Sequence, residues 1–173
     1  EIIDDEQVAI IPLNMLLGLE GYIDKVTLTN EILFRWINSN KALPTSSIPS
    51  LKYVEDLYTF LLDHYDEVIV ITVSKALSGT HNVLQKAAEA FENRIVVVNS
   101  KQNSVAQGLV VLSAVEGLKS GSSSQHILEQ IQNTVEHTKI LVSIATLDNM
   151  IASGRITSQM GKVANLFRIK PII

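Results

Sequence analysis

The sequence predicts an α/β fold: a parallel sheet with flanking helices. Two observations carry the expectation. Val68-Ile69-Val70-Ile71-Thr72-Val73 and Ile95-Val96-Val97-Val98 are continuous β-branched runs, and segments with helical apolar spacing alternate with them. A run of that kind is the pattern of a strand covered on both faces by crossover helices, and strand–helix alternation sets such strands parallel. The 173 residues point to one domain, long enough to bury roughly 70% of the surface its unfolded chain would expose.

Taken in order, residues 8–13 are apolar and rich in β-branched side chains, which predicts a strand, and residues 14–22 predict a hairpin turning near Glu20-Gly21. Thr29 is a cap for a helix over 30–39, where Ile32, Leu33, Trp36 and Ile37 share a face. Residues 42–50 hold Pro44, Pro49 and four hydroxyls, an irregular stretch until Ser50 caps the next helix, which runs to 65. The run at 68–73 leaves through residues 74–79 into a helix over 80–91. A strand at 95–98, a helix at 104–118, a turn at Gly121-Ser122-Ser123-Ser124 and a helix reaching 137 follow. Residues 140–144 are again strand-like, and residues 146–167 predict two short helices broken at Ser153-Gly154-Arg155. There is no internal repeat or interdomain linker. The chain starts without methionine and ends in the apolar stretch Ile169-Lys170-Pro171-Ile172-Ile173, which is expected to begin a further strand; the sequence is therefore read as a fragment.

Composition narrows the function. Apolar residues make up 46% and charged residues 18%, a globular balance. The net charge of −4 lacks the basic excess that nucleic acid or an anionic membrane surface requires. The absence of cysteine excludes a disulfide framework, a thiolate nucleophile and a thiolate-bound metal, and it suits a reducing cytosol. The acidic start lacks the positive region of a signal peptide, and no apolar run approaches the roughly 18 residues of a membrane span. A cytoplasmic protein that meets small ligands or other proteins is the expectation.

In open parallel sheets, ligands bind beyond the carboxyl ends of the strands, where free N–H groups at helix starts favour anions. Ser78-Gly79-Thr80 sits at such a place: Gly79 allows close backbone approach, while Ser78 and Thr80 add hydroxyls. The alternative is that Ser78 or Thr80 only caps the helix and Gly79 makes the turn. A second hydroxyl cluster, residues 45–50 with Ser46 and Ser47, has its own plain reading as a proline-bounded loop. Two such loops converging on one small anion would suit a carboxylate better than a triphosphate, because the P-loop lysine pattern and the Gly-x-Gly-x-x-Gly turn are both absent. Arg155 is a candidate bidentate cation for a carboxylate, or a solvated residue after a helix-ending glycine. His64, His81, His126 and His137 show no metal spacing and lie near predicted helix ends, where solvated surface is expected. Ser78 lacks the nucleophile-elbow pattern and no acid is available in the sequence to orient His81, so no hydrolase triad can be assigned.

Several segments together resemble the DegV family, in order and over nearly the whole chain. Pro44-Thr45-Ser46-Ser47-Ile48-Pro49-Ser50 is similar to its Pro-Thr-Thr-Ser-Gln-Pro-Ser loop. Val70-Ile71-Thr72-Val73-Ser74-Lys75-Ala76-Leu77-Ser78-Gly79-Thr80 is similar to its strand and Leu-Ser-Gly-Thr turn. Val97-Val98-Asn99-Ser100-Lys101 resembles its Val-x-Asp-Ser-Lys segment, and Ser153-Gly154-Arg155-Ile156 with Ile169-Lys170-Pro171-Ile172 resembles its Gly-Gly-Arg-Ile and Ile-Lys-Pro-Ile-Leu elements.

The resemblance implies two α/β domains with a long-chain fatty acid between them, its carboxylate held by loop hydroxyls and its tail in an apolar tunnel. No cofactor, metal or catalytic residue belongs to that picture. Carried over, Ser46 and Ser78 are the main carboxylate ligands, with Ser47, Gly79, Thr80 and Arg155 as neighbours or secondary contacts. It also implies a partner, a fatty acid kinase that phosphorylates the presented acid. On this reading residues 1–173 are an incomplete N-terminal domain without its first strand, and the connection to a second domain starts near 167–173. Ile48, Asn99, Ser153 and Lys25 depart from the family's glutamine, aspartate, glycine and glycine. The competing reading is an enzyme acting on a small acyl or phosphorylated substrate through Ser78 or Thr80.

Overall fold

A computed structural model describes residues 7–40, 43–143, 147–154 and 156–157. In chain order these form β1 (Asn14–Leu17), β2 (Glu20–Ile23), α1 (Asn30–Asn40), β3 (Thr45–Ser47), α2 (Leu51–Leu62) and β4 (Val68–Thr72). They continue as α3 (Thr80–Ala88), β5 (Ile95–Asn99), α4 (Ser104–Lys119), α5 (Ser124–His137) and α6 (Asp148–Ala152). The chain divides into two compact units, Glu1–Leu13 with Ile48–Lys139, and Asn14–Ser47 with Ile140–Ile173.

The first unit is the expected parallel arrangement. β4 and β5 pair in parallel from Val68↔Ile95 to Thr72↔Asn99. Because side chains alternate along a strand, Val68, Val70 and Val97 pack against the α2 and α3 core of Val54, Tyr58, Leu84 and Ala87. Ile69, Ile71 and Val98 pack on the other face against Val110, Ile127, Ile131 and Val135 of α4 and α5. Two apolar faces on one strand explain why its sequence is a continuous run. Tyr58 is fully buried, donates to Leu84 O (3.3 Å) and meets Phe91 edge-on, and burial pushes its phenol far above the ordinary value. Arg94, just before β5, donates to the carbonyls of Leu62, Tyr65 and Asp66 and so ties the end of α2 to the sheet. α4 and α5 approach closely at Gly117, where a Cβ would lie 2.9 Å from Ile127 Cγ1.

The caps read from sequence act as expected: Ser50 Oγ accepts from Tyr53 N–H and Thr29 Oγ1 from Ile32 N–H; Ser123, expected only as part of a turn, caps α5 by accepting from His126 N–H. Two expected strands differ. Residues 8–13 are described but carry no strand pairing, and residues 140–143 hold only an isolated bridge at Ser143. Periodicity identifies a segment fit for a strand; a neighbour with free edge groups makes it one.

The second unit holds an antiparallel sheet in the order β2-β1-β3. Its hairpin turns at Gly18-Leu19, not at Glu20-Gly21, and Gly18 has the positive φ (+67°) that such a turn asks of glycine. Residues 45–47, expected to be irregular, form β3 on β1, with Ser46 opposite Met15 and Ser47 opposite Asn14; Pro44 and Pro49 flank this short strand. Lys25 has φ 60°, a left-handed conformation in which glycine is unstrained, and this accounts for the glycine of the resembled family at that place. Leu17, Leu28 and Leu147 are buried apolar residues among the described part of this unit.

Candidate functional site

The exit of β4 forms a closely bonded loop. Ser74 N–H donates to Gln102 O (2.8 Å), and Ser74 O accepts from Leu77 N–H and Ser78 N–H, which winds residues 74–78 into a turn. Asn99 Oδ1, at the end of β5, accepts from the backbone N–H of both Lys75 and Lys101 at 3.1 Å each. One carbonyl oxygen thus joins the two loops that leave the sheet. The family's aspartate would present the same acceptor, so asparagine keeps this contact without the charge.

The loop ends at the start of α3. Ser78 Oγ accepts from Thr80 N–H (3.2 Å) and shares a 2.8 Å hydrogen bond with Thr80 Oγ1. Ser78, one residue before the N-cap Gly79, thus braces the start of α3 without being its side-chain cap, and either hydroxyl of the Ser78–Thr80 pair can be the donor. Gly79 does not make the turn in the way expected: its φ of −71° is open to any residue. A Cβ there would meet only Ile48 Cδ1, at 4.0 Å. Within the described residues neither conformation nor crowding requires glycine, and the space over the helix start is left open. The backbone N–H groups of Gly79 and His81 have no hydrogen-bond acceptor among the described residues. Thr80 is buried, Ser78 half-buried and Gly79 exposed.

Ile48, which departs from the family's glutamine, is thus a neighbour of Gly79. His81 differs from the solvated residue expected. It is half-buried, its Nδ1 lies 3.0 Å from Thr72 Oγ1, and that hydroxyl also donates to Val98 O (3.3 Å). Burial, and next the Lys75 ammonium, lower its pKa from the ordinary value. The Thr72–His81 contact went unread in the sequence, although the signal is there: in a strand–loop–helix unit the last strand residue abuts the first turn of the helix that follows. His64 and His137 bond the carbonyls one turn back on their own helices and are exposed, as is His126.

Ser46 and Ser47 belong to the second unit, both exposed on β3. Strand alternation turns them to opposite faces, so they are not interchangeable. Arg155 lies outside the described residues. Gly154 follows α6 with φ +74° and donates its N–H to Ile151 O (3.0 Å), the helix-ending geometry that glycine favours. Among the described residues no helix is long and apolar enough to cross a membrane.

The sequence model described as an uncharacterised protein of the DegV family matches residues 1–173. A DegV domain-containing protein of Staphylococcus aureus is 30% identical over 172 residues, 99% of this chain and 61% of the relative. The chain therefore spans about three fifths of the curated relatives it matches. Among solved structures it is similar to a DegV family protein of Thermus thermophilus described for its fatty acid binding, at TM-score 0.81 and 30% identity over 93% of this chain and 57% of that one. Bacillus subtilis DegV, described as a fatty acid binding protein, gives TM-score 0.81 and 28% identity over 94% and 58%. The fold is shared with the Streptococcus pneumoniae Fatty Acid Kinase (Fak) B3 protein loaded with linoleic acid, at TM-score 0.78 and 23% identity over 93% and 58%. With a family match that runs from the first residue to the last, this chain belongs to the DegV family.

Proposed function

We propose that this chain is part of a fatty-acid carrier in which the loop after β4 holds the carboxylate and no covalent bond is made or broken. One observation carries the reading: at the start of α3 two unbonded amides, Gly79 and His81, lie beside the paired hydroxyls of Ser78 and Thr80. A helix start of this kind favours a small monoanion, and the lack of a Cβ on Gly79 leaves room for it. The ligand class comes from the relatives of Thermus thermophilus and Bacillus subtilis that are described as binding fatty acids. Ser46 is a second hydroxyl donor on this reading, and Ser47 and Arg155 are secondary contacts. Among the described residues the hydrogen-bond partners of Ser78 Oγ are the two groups of Thr80, an arrangement that favours the carrier over the enzyme alternative.

Purified without added lipid, the full-length protein is expected to carry a fatty acid, seen as a mass adduct under native conditions. Each buried methylene contributes about 0.8 kcal/mol, so a long tail leaves slowly. Preparations that arrive empty and take up neither palmitate nor oleate would sink the reading. Ester hydrolysis abolished by Ser78→Ala would replace it with the enzyme. The second half of the proposal is presentation to a fatty acid kinase: with such a kinase and ATP, bound acid should become acyl phosphate, and unchanged acid would leave a carrier without that partner.

A further inference from the structure

His81 is the second residue of α3, one place past Thr80, and its ring reaches back to the end of the sheet. Nδ1 lies 3.0 Å from Thr72 Oγ1, and the same hydroxyl lies 3.3 Å from Val98 O on β5. Thr72 is 3% exposed, so its oxygen has no bulk water to turn to. A hydroxyl has one hydrogen, and a carbonyl can only accept. Thr72 therefore gives its hydrogen to Val98 O, since the other choice sets two bare oxygens against each other in a buried place. Nδ1 is then the donor to Thr72, and the neutral ring keeps its hydrogen there. Nε2, on the far side of the ring, has no partner among the described residues and is not sealed from solvent.

The charges around this ring are of one sign. β4 and β5 present Thr72, Val98 and Asn99 at this end, none of which titrates. The loop between β4 and α3 presents Lys75, whose ammonium acts on the ring through space. α2 packs on α3 through Val54 and Tyr58, and the Tyr58 phenol donates to Leu84 O. Farther along α3, Lys86 pairs with Glu89. Residues 74–81 and 99–104, the two loops that leave the sheet, contain no aspartate or glutamate. A protonated His81 thus has no counter-anion in its own loops, and a carboxylate at the start of α3 would be one.

We infer that His81 takes up one proton from solvent when a fatty acid binds, and that the imidazolium so formed donates from Nε2 to the carboxylate while Nδ1 stays on Thr72. This rests on the reading that the start of α3 holds the carboxylate. A bare Nε2 repels a carboxylate oxygen, whereas the protonated one gives it a charge-assisted hydrogen bond. A fatty alcohol needs no such proton, because its own O–H can donate to the bare Nε2. The residue thereby separates acid from alcohol by pH. In the ligand-free fold, burial and Lys75 keep the ring below its ordinary pKa of about 6.5, and a bound carboxylate raises it. Between those two values acid affinity falls as pH rises, by up to about tenfold per pH unit, and it is flat on either side.

Ring-nitrogen NMR of His81 in the full-length protein, read beside laurate affinity across pH, tests this. In the lipid-free protein at neutral pH, Nδ1 should carry the hydrogen and Nε2 should be bare; with laurate bound, both should carry one. Between about pH 6 and about pH 8 laurate affinity should fall by about tenfold or more, while dodecanol affinity holds. His81→Gln should flatten the laurate profile and still bind dodecanol. A bare Nδ1 in the lipid-free protein would overturn the inference at its root. So would bound laurate that leaves Nε2 bare, or a laurate profile as flat in the parent as in His81→Gln; the carrier itself would survive these results. A protein that binds neither ligand at any pH would sink the carrier reading, and the inference with it.

Discussion

Replacing Ser78 by alanine deletes one oxygen that bonds the start of α3 and that, on the proposed reading, also donates to the ligand carboxylate. The oxygen accepts from Thr80 N–H and bonds Thr80 Oγ1, so its loss weakens the start of α3. Such a change costs about 0.5–2 kcal/mol, and because Ser78 is only half-buried, water can take over part of the role and about 1 kcal/mol is expected. In a domain of this size that lowers the unfolding midpoint by about 2–4 °C. A fold stable by roughly 5–15 kcal/mol remains populated, so binding can still be read. There the loss is a hydroxyl donating to a carboxylate, about 1.5–3 kcal/mol, or roughly ten- to a hundredfold in affinity for palmitate. The assay is displacement of a fluorescent fatty acid from the full-length protein, run beside thermal unfolding and repeated with the alcohol of equal chain length. Acid binding should fall and alcohol binding should hold. Equal losses for both would mean that the substitution damaged the pocket, and no loss for the acid would leave Ser78 a brace of the helix start and nothing more.

Other changes address the scaffold and the loop's surroundings. Gly117→Ala should destabilise by about 1–3 kcal/mol in denaturant unfolding, since its Cβ would lie 2.9 Å from the buried Ile127; an unchanged midpoint would mean that α4 and α5 separate freely. Asn99→Asp should be near neutral, whereas Asn99→Leu should cost about 1 kcal/mol by removing the acceptor of the exposed Lys75 and Lys101 amides, which water can partly replace, and equal costs would deny the bridging role. His81 has its pKa lowered in the fold by burial and Lys75, so the unfolded chain takes up the proton more readily. Its stabilising effect is whole above the unfolded pKa of about 6.5 and fades as pH falls below it. The unfolding midpoint should therefore drop less between about pH 7 and about pH 5 in His81→Gln than in the parent; parallel pH profiles would contradict this.

The first unit was legible because its rule is local. β4 and β5 announce themselves by composition, and Ser50 by position before a helix, as Thr29 does in the second unit, so those ends lie close to expectation. Residues 8–13 were read as a strand from the same composition and carry no pairing, since a strand needs a partner edge that composition does not encode. β3 was missed for the converse reason: Thr45, Ser46 and Ser47 have little strand signal, and their pairing with β1 reflects a neighbour supplied by a hairpin far back in the chain. At the loop after β4, Ser78, Gly79 and Thr80 were candidates from sequence, and of the two readings of Gly79 the turn-making alternative is the one its φ of −71° does not call for, because glycine signals freedom without saying whether φ or open space has use for it. Asn99 was invisible as a loop support, since its contacts cross from one strand exit to another, whereas Thr72 was overlooked although the strand–loop–helix pattern places it against His81.

On the proposed reading, the chemistry at the start of α3 also divides affinity from orientation. Ser78, Thr80 and the amides of Gly79 and His81, which have no acceptor among the described residues, are neutral donors, and the Lys75 ammonium acts on His81 through space. Such a head-group site contributes about 1.5–3 kcal/mol per charge-assisted bond, while roughly fourteen methylenes at about 0.8 kcal/mol each contribute near 11 kcal/mol. Association itself costs about 4–15 kcal/mol, so the hydroxyls alone would hold nothing and the tail alone would hold a fatty acid weakly and in either direction. The polar loop then decides which end of the ligand faces it. Retention through purification is accordingly a property of the tail, and a Ser78→Ala protein that still arrives loaded, with its acid weakened and its alcohol untouched, is what this division requires.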